Sequence, residues 1–224
     1  IYAGLTDGAN TGTEASITIN NIDKQKPTVN LTRTDYNTFS WTASDGTEVS
    51  GYQITTTNTK PSATGTEWIT TGTLTSGTKD VDSANTWYVW AKDSAGNVSD
   101  ETENTKITSY TVSRNQGIGS TLTTRCDATS ETTGTEFTEN TVILTGTSIW
   151  AKAIANIGYS TPTLKHGNTE MTASGANYIV ETTETITSGA TANDYTITLD
   201  NENATINGTA SLTEKYNDGI YIGS

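Results

Sequence analysis

The chain has 224 residues, with 25 acidic and 12 basic side chains giving a formal net charge of −13, and only 32% of it is hydrophobic. Phosphate-rich partners need clustered Lys and Arg, so this balance excludes nucleic acid and disfavours anionic lipid. No run of about 20 apolar residues is present, so no direct membrane insertion is expected, and the single cysteine, Cys126, cannot close an intrachain disulfide.

Thr, Ser, Asn and Gly replace the missing apolar residues. Five Trp and ten Tyr nevertheless sit inside short alternating runs. Thr and Tyr suit half-exposed strands, so the composition predicts an all-β chain of thin modules and not disorder.

Residues 1–23 read as the closing hairpin of a preceding module. Ile1, Ala3 and Leu5 alternate on one face, Asp7-Gly8-Ala9-Asn10 supplies turn chemistry, and Ala15 to Asn20 alternates on the way back. The chain opens at Ile1, in mid-strand and without Met, as a piece of a longer protein would. A hairpin alone is marginal in water, so it is expected to dock on a neighbour. A polar connector, Ile22 to Pro27, then marks a boundary, because proline stops strand pairing.

Residues 24–106 form the best-defined module. Strands are expected at Thr28–Leu31, Tyr36–Ala43 (with Phe39 and Trp41 on one face) and Val49–Thr57. Ser44-Asp45-Gly46-Thr47 is a turn, Pro61 to Gly65 a loop, and Gly77–Val81 a short strand. In Trp87 to Ala91 the residues Trp87, Val89 and Ala91 share one face and Tyr88 and Trp90 the other, which predicts a central strand covered on both sides. Short strands separated by turns in this number indicate a β-sandwich.

Residues 107–193 begin a third unit at Tyr110-Thr111-Val112. A turn follows at Gly117–Ser120, strands at Leu122–Cys126, Thr141–Thr145 and Ser148–Ala155, and a loop at Gly158–Pro162. Leu164, Met171, Tyr178-Ile179-Val180 and Thr185-Ile186 lie in later strand-like runs. Residues 194–224 restart the pattern with Asp194 to Asn201, Ala204 to Thr209 and Ser211 to Tyr216.

The order Phe39-Ser40-Trp41, Gly51-Tyr52-Gln53-Ile54 and Trp87-Tyr88-Val89-Trp90-Ala91-Lys92-Asp93-Ser94-Ala95-Gly96-Asn97 resembles bacterial immunoglobulin-like or fibronectin type III-like modules. The resemblance implies that Trp41 fills a sandwich core and that Asp93 to Asn97 is the hairpin between the last two strands. Ile1 to Asn20 echoes it, with Tyr2 aligned on Tyr88 and Asp7 on Asp93. The series Tyr110-Thr111-Val112, Ile149-Trp150-Ala151-Lys152-Ala153 and Tyr178-Ile179-Val180 resembles the divergent β-grasp-like repeats of bacterial surface proteins, with a second sandwich as the alternative. Asp194 onward resembles the opening of an internalin-type B-repeat, or else a cap on the third unit.

No phosphate loop, dinucleotide fingerprint or paired His or Cys motif is present, and no Ser-His-Asp set can be picked out. The expectation is a protein that is not an enzyme. Cys126 reads as a small core residue and His166 as an exposed turn histidine. Hard cations want oxygen ligands, which makes calcium the one cofactor expected, if there is any. The candidates are Asp23 at the module boundary, Asp45 and Asp93 in turns, and Asp100 beside them. The plain alternative is that Asp93 and Asn97 stabilise a turn. Trp68, as a half-exposed aromatic, and Tyr52 are candidates for stacking on a glycan.

The family resemblance implies an extracellular stalk or adhesion segment of a bacterial cell-surface or secreted protein. Its partners would be a host or cell-surface protein or glycan, and the neighbouring modules of its own chain. The alternative is a carbohydrate-binding accessory region of a secreted glycan-degrading enzyme.

Overall fold

The computed structural model describes residues 22–198 without a break and, outside that span, residues 2–3, 8, 15–16 and 211–215. Among these the chain is all-β, with one 3-10 turn at Glu103–Thr105 and no α-helix. Among the described residues no helix is long and apolar enough to cross a membrane. Of the expected opening hairpin, β1 (Tyr2–Ala3) and β2 (Ala15–Ser16) pair antiparallel. Gly8 has the positive φ, 88°, that a turn uses. The remainder of that hairpin lies outside the described residues.

The first sandwich follows from period-2 alternation. One sheet has the order β3 (Thr28–Asp35), β4 (Thr38–Ser44), β6 (Ser76–Asp80), and the other sets β5 (Val49–Thr55) and β8 (Lys106–Gln116) either side of β7 (Thr86–Asp93). Strand β4 sends Phe39, Trp41 and Ala43 inward, where they meet Trp87, Val89 and Ala91 of β7. Gly77 admits the Trp41 ring, since a Cβ there would lie 2.8 Å from Nε1. On the outer face of β7, Trp90 packs with Trp68 and Val98, with Tyr88 beside them. Strand β7 is therefore covered on both sides.

After β7 the chain turns at Asp93–Asn97 and touches the ladder again at Val98, opposite Lys92. The next stretch runs through the 3-10 turn, where Thr102 caps Glu103–Thr105, before β8 resumes pairing with β7 at Lys106–Thr108.

Beyond Thr108 the strands are β9 (Ser120–Cys126), β10 (Thr135–Glu136), β11 (Thr141–Leu144), β12 (Ser148–Ala155), β13 (Tyr159–His166), β14 (Thr169–Met171), β15 (Ala176–Ile179) and β16 (Glu184–Ala192). They build a second sandwich. One sheet has the order β10-β9-β12-β15, and the other runs β14-β13-β16-β8 with β11 also on β8. Leu122, Ile143, Ile149, Leu164, Val180 and Ile186 fill the space between them. Of the two expectations for residues 107–193, this is the second sandwich. A β-grasp wraps its sheet round a helix, and none is present among the described residues. The expected loop at Gly158–Pro162 is instead the start of β13, carrying a bulge between Ser160 and Thr163 with Thr161 at φ 50°. A bulge absorbs Pro162, which has no N–H to give a ladder.

The two sandwiches are not beads on a linker. The expected division at 106/107 falls inside β8. Its first residues pair with β7 (Thr108 opposite Thr86), Ser109–Val112 pair with β11, and Val112–Gln116 pair with β16 in parallel. The cores also exchange side chains. Leu144, fully buried, belongs to the first core, with Val142 packed beside it. Tyr36, from the turn between β3 and β4, packs against the second core. The Leu144 amide donates to the Tyr36 carbonyl at 2.7 Å. Arg33 reaches across to Asp127, at 2.8 Å from Oδ1 and 3.0 Å from Oδ2.

Strands β17 (Asp194–Thr198) and β18 (Ser211–Lys215) form a separate antiparallel pair, one residue after β16. The intervening residues of the expected B-repeat-like unit, and those after Lys215, lie outside the described residues.

Leu144→Ala should cost about 3 kcal/mol, and the loss should appear in both sandwiches together. Trp41, Trp68, Trp87 and Trp90 report on the first by fluorescence, and thiol labelling of Cys126 reports on the second. Two separate denaturation midpoints would show that the sandwiches unfold independently.

Candidate functional site

The pole of the first sandwich away from the second gathers three of the four candidate aspartates. Asp45 sits in the β4–β5 turn because Asp-Gly-Thr chemistry closes it: Thr47 donates its amide to Asp45 Oδ2 at 3.0 Å. Asp93 ends β7, where the Asn97 amide donates to Oδ1 at 2.8 Å and the Asn97 side-chain amide to Oδ2 at 2.7 Å. Asp23 comes in on the connector, held by a bond from Asn97 Nδ2 to its backbone carbonyl at 3.2 Å. One carboxylate oxygen from each of Asp23, Asp45 and Asp93 lies within 4.8 Å of the other two.

The donors around this cluster are neutral. The Thr47 hydroxyl lies 2.8 Å from Asp45 Oδ2 and 3.0 Å from Asp23 Oδ2, and the Gln25 amide donates to Asp23 Oδ1 at 2.8 Å. Among the described residues no Lys or Arg forms an ion pair with any of the three. The Thr47 amide, followed by its hydroxyl, holds the Asp45 carboxyl below its ordinary range. Asp45 Oδ1 is shielded from solvent and has no hydrogen-bond partner. Oxygen-only donors, three of them anionic and one unpartnered, suit a hard divalent cation such as calcium better than a transition metal. The cluster by itself names no ion.

Asp100 does not join it. Its carboxylate is taken by Lys26 at 2.8 Å and Lys60 at 2.7 Å. Hydrogen bonds from Lys26 and then Lys60 lower it to about 2. The pair Lys26–Asp100 sits at the mouth of a groove of about 360 Å³ between the start of β3 and the 3-10 turn, lined also by Pro27, Thr28 and Thr102.

The stacking candidates are placed elsewhere than expected. Trp68 is 7% exposed and not half-exposed. Its indole N–H donates to the Ser62 carbonyl at 2.9 Å, and the Lys92 ammonium lies 5.1 Å from the ring centroid. The loop that carries it closes over Trp90 and turns it into a small outer core. Tyr52 is spent on Trp41, with ring centroids 4.4 Å apart and a 43° tilt. Trp68 therefore has no exposed face for a sugar, and Tyr52 is half-buried.

His166 ends β13 and is not an exposed turn residue. Its Nδ1 lies 3.0 Å from Glu184 Oε2, and its ring stacks on Tyr178 at 4.4 Å. Burial, then the Glu184 charge, pushes the Tyr178 hydroxyl up. Cys126 is fully buried and desolvation pushes its thiol up to about 12, so it stays protonated at neutral pH.

Thr47, Asn97 and Gln25 complete the aspartate cluster, and sequence reading passes over two of them. Asn97 was visible through its turn. Thr47 had a signal in Asp45-Gly46-Thr47, while Gln25 had none. The His166–Tyr178–Glu184 contact joins three strands and leaves no local trace. No family model, curated protein or solved structure matches this chain. The class is accordingly what the fold defines, an all-β protein of sandwich type.

Two outcomes follow. Asp100 has a folded-state carboxyl near 2, below its ordinary value. Its contribution to stability is therefore complete above about pH 4 and is lost as pH falls through about 2. Asp100→Asn should flatten that part of an acid titration of stability, and an unchanged acid limb would contradict the lysine pairing. Trp68→Ala should lower stability by about 3 kcal/mol, read as a lower denaturant midpoint. A surface platform residue would leave the midpoint where it was.

Proposed function

We propose that the chain is a non-catalytic stalk segment of a large bacterial surface protein, acting outside the cell to space or present a binding region. The observation that carries this reading is the locked junction. A strand common to both sandwiches, with Leu144 and Tyr36 exchanged between the cores, leaves no hinge between the units. A spacer needs that property, because reach is set only if successive units keep their orientation. The resemblance over Trp87 to Asn97 and the acidic composition support the same reading.

Calcium at Asp23, Asp45 and Asp93 belongs to this proposal. Asp45 and Asp93 are fixed by the sandwich, while Asp23 arrives on the segment that links it to residues before it. A cation there would neutralise three carboxylates and tie the connector to the pole. The first sandwich would then be fixed to its neighbours at both ends. The partners are the neighbouring modules of the same chain and a cell-surface protein or glycan engaged by the region that the stalk presents. The glycan-binding alternative has less support, because Trp68 is buried and Tyr52 is half-buried against Trp41.

Calcium should raise the melting temperature of the chain and a chelator should return it. At a concentration 100-fold above the dissociation constant the gain is about 2.7 kcal/mol. Asp45→Asn should remove most of the response, and magnesium should give less of it, since it demands tighter octahedral geometry. A wild-type melting temperature that ignores calcium would end the cation part of the proposal. The spacer part falls if small-angle scattering of residues 22–193 requires two sandwiches reorienting freely.

A further inference from the structure

We infer that the ladder between β8 and β16 is a tensile clamp: the second sandwich is built to carry load along the chain in shear. This deepens the stalk reading and rests on it only for the claim that tension is what the chain meets. The ladder geometry stands apart from it.

Strand β8 comes into the second sandwich from the junction, and β16 leaves it at the opposite end, one residue before β17. The two are neighbours and run parallel, with Val112 opposite Glu184 and Gln116 opposite Ser188. Tension applied through the chain therefore draws β8 and β16 past each other along their own length. The bonds of a parallel ladder are evenly spaced and slanted. Under this load they are strained together and must fail together. A hairpin pulled from its open end gives way one bond at a time.

The surroundings keep the ladder from rotating into a peeling geometry. Strand β16 is flanked by β13 on its other edge, β11 holds the other edge of β8 as far as Val112, and the Arg114 amide just beyond donates to Asn140 Oδ1 at 3.2 Å. The ladder is closed at its far end by the Gly117 amide, which donates to the Ser188 carbonyl at 2.8 Å. Only glycine allows that approach, since a Cβ at 117 would lie 2.2 Å from the same oxygen. Ser188 is also fastened to the opposite sheet. Its hydroxyl lies 2.9 Å from that of Ser120, and both residues are buried. At the near end, the exchanged Leu144 and Tyr36 tie the first sandwich to the strand that carries its load.

The test is the direction of pulling in single-molecule force spectroscopy on the full chain, with handles on introduced cysteines. Cys126 is buried with its thiol raised, so it does not compete for the label. Asn104→Cys with Thr191→Cys applies force to the start of β8 and the end of β16. Ile118→Cys with Thr191→Cys applies it to the two strands at one end. Ile118 is 83% exposed, and all three sites face solvent, so folding is preserved in both pairs. At one pulling rate the first pair should need a several-fold higher force, since forced unfolding reads the barrier and not the equilibrium stability. Equal forces, or a stronger second pair, would overturn the clamp and leave the stalk reading standing. Failure of the calcium response or of rigid scattering would undo that reading without touching the anisotropy.

Discussion

Strand β8 is paired at every residue and has little freedom to slip. Over eleven residues one edge is met by β7 at Lys106–Thr108 and then by β16 at Val112–Gln116, and the other by β11 at Ser109–Val112. A register shift of one residue would turn every side chain to the wrong face in two sandwiches at once. That double constraint fixes where the second sandwich starts and which way it points. It also sets the turn of β3 and β4 against the second core, so Tyr36 is half-buried by residues far along the chain. The cores are small, and each is finished by a side chain from the other unit. Each core thus gains part of its burial from the other unit, which is how stacked modules gain stability from contact with neighbours.

The aspartates of the first sandwich meet two electrostatic fates. Asp100 lies in the open, and two ammonium groups neutralise it. Asp23, Asp45 and Asp93 are satisfied by amides and hydroxyls, which supply hydrogen bonds but no charge. In a protein with about twice as many acids as bases, cations are scarce, and the pole goes without. Their repulsion persists over separations of a few ångström at any physiological salt, since the screening length is about 8 Å. The turns that bring these carboxylates together are stable for their own local reasons. Two turns and the connector thus bring three negative charges to one pole.

What could be read from the sequence was what is local. Alternation of Phe39 with Trp41, and of Trp87 with Val89 and Ala91, gave the inward faces of β4 and β7. Asp and Gly in the turns gave Asp45 and Asp93, and the module boundary gave Asp23. What could not be read depends on meetings between distant residues. Asp100 is held by Lys26 and Lys60, 74 and 40 positions away. Trp68 lies in a loop of turn-like composition, and only the outer face of β7 decides that this loop folds down. The run Lys106 to Gln116 looks like any exposed strand of its length, because its role comes from three partners and not from its own pattern. His166 sits before Gly167 in a turn-like sequence, and its burial is set by Tyr178 and Glu184 on other strands.

The exchange of Leu144 and Tyr36 also bears on how such a chain can be copied. Modular proteins grow by duplicating or shuffling units at their linkers, which works when each unit carries its whole core. A cut after residue 106 would divide β8, leave the first core without Leu144 and put the Tyr36 ring in water. The piece that can be duplicated, transplanted or truncated intact is the pair of sandwiches. In the genetics of this chain the two sandwiches count as a single exchangeable unit.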